Sequence, residues 1–177
     1  MLHDLAIRPE RPKDYESVAR VVEGAFGDAN VARLVDRIRD SEHYVPGLSL
    51  VAEREGEIVG HVMFSYVTLR RERDEMPVLI LSPLAVTPER QKDGIGSALV
   101  KAGIVGAEAR NEPLVIVEGI PAYYPRFGFE RAREYGIEPP SAHIPDAAFM
   151  VLRLSNYEPG LRGTVVYSPA FDVVATG

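Results

Sequence analysis

The sequence contains no cysteine. That removes disulfide scaffolds, thiol nucleophiles and thiolate metal sites together. Histidine is scarce: His3, His43, His61 and His143 are scattered, with no pair at metal-ligand spacing, so no metal is expected. Long apolar runs are missing too. The longest, residues 78–86, is interrupted by Ser82 and Pro83 and falls far short of a membrane span. The opening Met1-Leu2-His3-Asp4 lacks a basic stretch followed by an apolar one, so no secretory leader is expected. Basic excess is also lacking. Lys and Arg number 20 against 26 Asp and Glu, and the net charge of -6 is a poor match for a nucleic-acid backbone. The expectation is a cytoplasmic protein without membrane or nucleic-acid partners.

What is present is ordinary for a folded chain: 46% hydrophobic and 26% charged residues. At 177 residues the length suits one domain, which buries about 70% of the surface its unfolded chain exposes. No internal repeat, linker or composition shift divides it. Alternation over residues 5–8, stopped by Pro9, predicts a short edge strand. Residues 12–26 follow a helical period, with Tyr15, Val18, Ala19, Val22, Ala25 and Phe26 on one face. Val31, Leu34, Val35 and Ile38 mark a second helix, broken by Pro46-Gly47. Strands are predicted over 48–53 and 57–69 around an Arg54-Glu55-Gly56 turn. The charged run 70–75 reads as a solvated hairpin tip, and 78–86 as a central strand covered on both faces. A helix over 94–110 is expected to bury Ile95, Ala98, Leu99, Ala102, Val105 and Ala109. Residues 114–117 form another buried strand and 122–127 a short helix. Proline-rich 134–147 is read as a loop, with closing strands over 148–154 and 164–167.

The most informative stretch runs from Leu84-Ala85-Val86 through a polar turn into Gln91-Lys92-Asp93-Gly94-Ile95-Gly96-Ser97. Two glycines open a helix whose first turn carries N–H groups with no intrahelical acceptor. The helix dipole adds roughly 0.3–1 kcal/mol of preference for an anion there. Together these make a phosphate seat. A nucleotide P-loop is excluded because no Gly-Lys-Ser/Thr closes the turn. A dinucleotide fingerprint is excluded because bulky Leu99 stands where a third small residue belongs. A glycine-rich turn with no ligand stays open as the alternative.

The same residues carry a family resemblance. Gln91-x-x-Gly94-x-Gly96 after Leu84-Ala85-Val86 resembles the acetyl-CoA motif of the GCN5-related N-acetyltransferases, the GNAT superfamily. Ile7-Arg8-Pro9 with Asp14 resembles that family's opening strand and helix, and residues 58–65 its third strand. Ala122-Tyr123-Tyr124-Pro125-Arg126-Phe127-Gly128-Phe129 resembles its second CoA-side motif. The match runs in order from about residue 5 to 154 and resembles the bacterial YhbS-like branch. It implies an α/β (α+β) fold: a mixed, mostly antiparallel twisted sheet flanked by helices and splayed at two central parallel strands. The whole chain, 1–177, would be one such domain, with its core at about 5–154 and a closing segment at 155–177.

The resemblance also implies roles. Leu84 and Val86, with Ala85 between them, would pair with the pantetheine arm of acetyl-CoA through their backbone. Gln91, Lys92, Asp93, Gly94, Ile95, Gly96 and Ser97 would hold the pyrophosphate through backbone N–H groups. Tyr124 would sit near the sulfur as general acid, with Tyr123 the packing member of the pair. Two departures stand out: an Asp93 carboxylate beside the expected phosphates, and Gly119-Ile120 where relatives often read Gly-Asp. Glu118, ending a buried strand, is the best-placed carboxylate for a base, unless the strand has simply reached solvent there. His61 reads as a hydrogen-bonded sheet histidine. The implied reaction is acetyl transfer from acetyl-CoA to an amine of a small molecule or protein, by a monomer or homodimer. Two rivals stay open: an acyl-CoA-binding module without turnover, and transfer of another acyl group such as succinyl or propionyl.

Overall fold

A computed structural model describes residues 3–175. The chain begins with strand β1 (Ala6–Pro9), a 3-10 turn (Pro12–Asp14), and helices α1 (Tyr15–Phe26) and α2 (Ala29–Arg39). Strands β2 (Tyr44–Arg54), β3 (Glu57–Arg70) and β4 (Glu75–Val86) lead to helix α3 (Ile95–Ala109) and strand β5 (Leu114–Glu118). The rest comprises short strands β6 (Glu130–Arg131) and β7 (Ile137–Glu138), then β8 (Phe149–Arg153) and β9 (Gly163–Val166). Strands hydrogen-bond in the order β1-β2-β3-β4-β5-β8-β6, and β9 joins β3 and β7. The pairs β1–β2, β2–β3, β3–β9, β5–β8 and β6–β8 are antiparallel. β4–β5 and β7–β9 are parallel. The parallel β4–β5 pair needs a crossover, which α3 supplies. It is short: Leu79 lies beside Val115 and Ile80 beside Ile116. This is the mixed, mostly antiparallel α/β architecture that the resemblance implies.

The described residues gather into two compact units. One runs to Ser65, takes in Ser82–Gly106 and resumes at Ala170; the other comprises Tyr66–Leu81 and Ala107–Pro169. In the first, Glu55 (φ 52°) and Gly56 (φ 79°) make the tight two-residue turn between β2 and β3. Gly27, at φ 64°, ends α1, and the Asp28 carboxylate caps α2 by accepting from Asn30 N–H at 2.9 Å. Two details depart from the sequence reading. Pro46-Gly47 does not stop a helix; α2 ends at Arg39, and the pair sits inside β2 where the register slips between Tyr44 and Ser49. On α3, Val105 is 69% exposed and Ala109 is also exposed. The buried stripe is Ile95, Leu99, Gly103 and Ala107. The glycines decide the face, because a Cβ at Gly103 would stand 2.0 Å from the Phe64 ring and one at Gly106 would stand 2.6 Å from Leu48. Ile95 and Leu99 pack at the start of the helix, and small residues carry the packed side farther along.

In the second unit, β5 is buried from Leu114 to Val117 and pairs with β8 over its whole length. Residues 122–127 form only a single 3-10 turn, Tyr124–Phe127. The 134–147 segment is not all loop: it holds β7, flanked by 3-10 turns at Ala132–Tyr135 and Asp146–Ala148. Two-residue strands carry too little period to be read from sequence.

Candidate active site

The glycine turn lies in the first unit. Thr87 N–H donates to Val59 O at 2.9 Å, so the end of β4 stays tied to β3. Leu84 and Val86 are half-buried around a buried Ala85. A 3-10 turn (Pro88–Arg90) follows, and the Gln91 side-chain amide donates back to Val86 O at 3.1 Å. Lys92 (φ 71°) and Gly94 (φ 85°) both take the left-handed conformation, which glycine adopts freely and lysine at a cost. Gly94 O accepts from Ala98 N–H at 3.0 Å, so Gly94 caps α3. The N–H groups of Ile95 and Gly96 then open the helix with no acceptor inside it. Residues 91–94 are exposed, and Gly96 and Ser97 are half-buried. The Asp93 carboxylate lies 4.0 Å from Arg54 Nη1, on the buried guanidinium that ends β2. That pairing offsets the charge the sequence placed awkwardly in the turn. Gly60 matters to the same packing, since a Cβ there would meet Leu99 at 2.9 Å, Ile95 at 3.1 Å and Ala85 O at 3.3 Å. The turn thus presents exposed backbone at the entry to α3, packed from beneath by Gly60 and Ala85.

Tyr124 and Glu118 lie in the second unit. The Tyr124 ring rests on Gly119, where a Cβ would be 2.4 Å from its Cε2. It packs edge-on against Phe129 at 5.6 Å and Tyr123 at 5.1 Å. The two tyrosines differ from expectation: Tyr124, 8% exposed, is the deeper, and Tyr123 is half-buried against Phe127 beneath the Arg126 guanidinium. Burial, with a smaller contribution from Tyr123, pushes the Tyr124 hydroxyl up to about 12. It therefore stays protonated; a lowered value is not what this environment produces. Glu118 is exposed at the end of β5, pairing there with Phe149, so the strand has reached solvent. Its Oε1 accepts from the Tyr167 hydroxyl at 2.8 Å. Sequence reading missed Tyr167, which stands 49 residues away with no motif to mark it. Ile120, next to the Gly119 on which Tyr124 rests, is 67% exposed.

His61 is fully buried on β3. Its Nε2 lies 3.0 Å from Ser49 Oγ and 3.6 Å from Glu10 Oε1. Arg39 grips Glu10 through Nε at 3.0 Å and Nη2 at 2.9 Å, and the Tyr44 hydroxyl donates to it at 2.7 Å. Burial holds the imidazole down to about 4, so it is neutral at physiological pH and sealed from any acceptor. Among the described residues, no group of three or more His, Asp or Glu side chains is arranged to hold a metal ion. No helix among them is long and apolar enough to cross a membrane.

The acetyltransferase (GNAT) domain family model matches residues 6–132. The chain belongs to the GNAT acetyltransferase family. Uncharacterised N-acetyltransferase YjhQ of Escherichia coli is 37% identical over 129 residues, 73% of this chain and 71% of YjhQ. Uncharacterised N-acetyltransferase YhbS of the same species is 29% identical over 171 residues, 95% of this chain and 99% of YhbS. The crystal structure of E. coli YhbS in complex with CoA superposes with a TM-score of 0.86 at 28% identity, covering 96% of this chain and 92% of that one. A GNAT acetyltransferase from Brucella melitensis in complex with acetyl-CoA gives a TM-score of 0.78 at 30% identity, covering 96% and 99%. This GNAT chain is thus an enzyme of the acetyltransferase class, similar to the YhbS-like proteins.

Proposed function

We propose that this GNAT domain moves the acetyl group of acetyl-CoA to a primary amine by direct attack. The observation that carries the reading is the turn from Val86 to Gly96. Its left-handed Lys92 and Gly94 lead into an α3 N-terminus whose N–H groups suit a pyrophosphate. YhbS with CoA and the Brucella enzyme with acetyl-CoA support that ligand. Backbone groups of Leu84 and Val86 would align the pantetheine arm, and a backbone N–H at or near Val86 would polarise the thioester carbonyl.

In the reaction a neutral amine forms the C–N bond, the C–S bond breaks, and its electron pair leaves with sulfur. Glu118 takes the proton lost from nitrogen. Tyr124 stabilises the thiolate by donating a hydrogen bond. With its hydroxyl at about 12 and a cysteine-like thiol at ~8.5, full proton transfer to sulfur would be uphill by roughly 5 kcal/mol. A donor that keeps its proton is therefore the better description of Tyr124 than a full acid.

The test is a thiol-release screen with acetyl-CoA against alkylamines, polyamines, amino acids and a lysine peptide. Turnover with at least one amine is expected. Tight CoA binding without thiol release across the panel would replace this reading with a binding module. Faster release from propionyl- or succinyl-CoA would move the acyl preference.

A further inference from the structure

We propose that Tyr167 is a positioning residue for acetyl transfer: its hydroxyl fixes one oxygen of Glu118 so that the other meets the acceptor nitrogen. The inference rests on Glu118 being the proton acceptor. Glu118 is exposed and ends its strand, and a glutamate there samples several rotamers when nothing restrains it. Here something does. The Tyr167 hydroxyl donates to Oε1 at 2.8 Å, and among the described residues no group donates to Oε2. One oxygen is held and the other is available.

The holder is itself held. Tyr167 directly follows β9, whose Thr164, Val165 and Val166 pair with Arg70, Leu69 and Thr68 of β3. On its other edge β9 pairs with β7. Ser168, the next residue, is buried. On the carboxylate side, Glu118 is backed by Phe149, and Gly119 N–H donates to Ala148 O at 2.9 Å. Two strand ends far apart in sequence thus present a donor and a carboxylate in fixed register. Burial first, and the Glu118 charge second, push the Tyr167 hydroxyl well above the ordinary tyrosine range, so it donates without titrating. During transfer the proton leaving nitrogen goes to Glu118 Oε2, while Tyr167 keeps its own. Fixing an oxygen before the acceptor arrives removes a rotamer search from the reactive step.

A double-mutant cycle tests this, using acetyl-CoA with propylamine, or the fastest amine of the panel above. Tyr167→Phe keeps the ring and should retain the wild-type melting temperature and CoA affinity. Its kcat/KM for the amine should fall by about tenfold, the low end for a hydrogen bond to a charged group. In the Glu118→Gln background the same substitution should cost less than twofold, because the route through Glu118 has been removed. Equal losses in both backgrounds would make Tyr167 structural and overturn the inference. So would full activity in Tyr167→Phe when Glu118→Gln is impaired. A fully active Glu118→Gln would instead remove the base itself, and the inference with it. If Tyr167→Phe does not fold, Glu118→Asp serves in its place. It keeps the charge but withdraws the carboxylate from Tyr167 by one methylene, and activity equal to wild type would count against the inference.

Discussion

At the scale of single residues, Tyr124 shows how one environment sets both packing and protonation. Its ring lies on Gly119 and against Phe129, and its burial keeps the hydroxyl protonated. Tyr124→Phe keeps the ring in place, so stability and acetyl-CoA affinity should change little. A group that meets charge mostly in the transition state lowers kcat and kcat/KM together. Catalysis of this kind is worth ~10²–10⁴-fold, and a donor that does not fully transfer its proton belongs near the lower figure. Tyr123→Phe is the control and should be nearly silent; steady-state kinetics on the pair separates them, provided chemistry limits turnover. The glycine beneath the ring is as sensitive. Gly119→Ala puts a Cβ 2.4 Å from Tyr124 Cε2, too close without a shift of the ring. Overpacking of this sort costs about 1–3 kcal/mol, so a melting temperature several degrees lower is expected together with a loss of turnover. An unchanged melting temperature would mean that the ring moves aside freely.

At the scale of elements, the strand-turn-helix over 84–97 was legible because its signals are local. A buried strand, a polar turn and two glycines follow one another within the 84–97 stretch, and the observed α3 starts at Ile95. The β2–β3 hairpin was legible for the same reason, since Glu55-Gly56 is a turn by its own backbone preference. What escaped depends on distant partners. Nothing near Glu118 announces Tyr167, and nothing near Asp93 announces Arg54. The start of the buried face of α3 was legible, as Ile95 and Leu99 show, but its later part escaped: Gly103 and Gly106 are chosen by Phe64 and Leu48, while Val105 looked the better core residue. The 84–97 stretch can be tested without touching the rest of the fold. Gly96→Glu places a carboxylate in the first turn of α3, where the helix dipole tolerates a negative charge, so the helix should persist. The same carboxylate would compete for the N–H donors proposed for the pyrophosphate and repel it. CoA affinity by calorimetry should fall more than tenfold at an unchanged melting temperature, and wild-type affinity would sink the assignment of this turn.

At the scale of the whole molecule, acid stability follows buried groups that the proposed chemistry does not use. His61 is neutral in the folded protein down to about pH 4, because burial disfavours its charged form. Glu10 partly counters this and Arg39 adds to it. Unfolded, the same imidazole takes up a proton near 6.5. The unfolded state therefore binds more protons between those values, and stability falls as pH drops from 6.5 to 4, by on the order of 2–3 kcal/mol. A second loss follows lower down. Asp14 is held to about 2, chiefly by its hydrogen bonds from Arg8 at 2.7 and 3.0 Å against an opposing desolvation. Its contribution is present above the ordinary aspartate range and disappears as pH falls toward 2. Glu10, whose burial is outweighed by Arg39, His61 and Tyr44, is lowered as well and acts in that same acid region. The two phases can be assigned by urea unfolding between pH 7.5 and 3. Wild type should lose stability smoothly from pH 6.5 downward. His61→Gln removes the only titrating group in this cluster whose window opens above pH 5, so its stability should be flat from pH 7.5 to 5 even if lower throughout, and Asp14→Asn should leave that upper phase intact. An equal slope above pH 5 in wild type and His61→Gln would show that the imidazole is hydrated rather than sealed, and would place the acid sensitivity elsewhere in the chain.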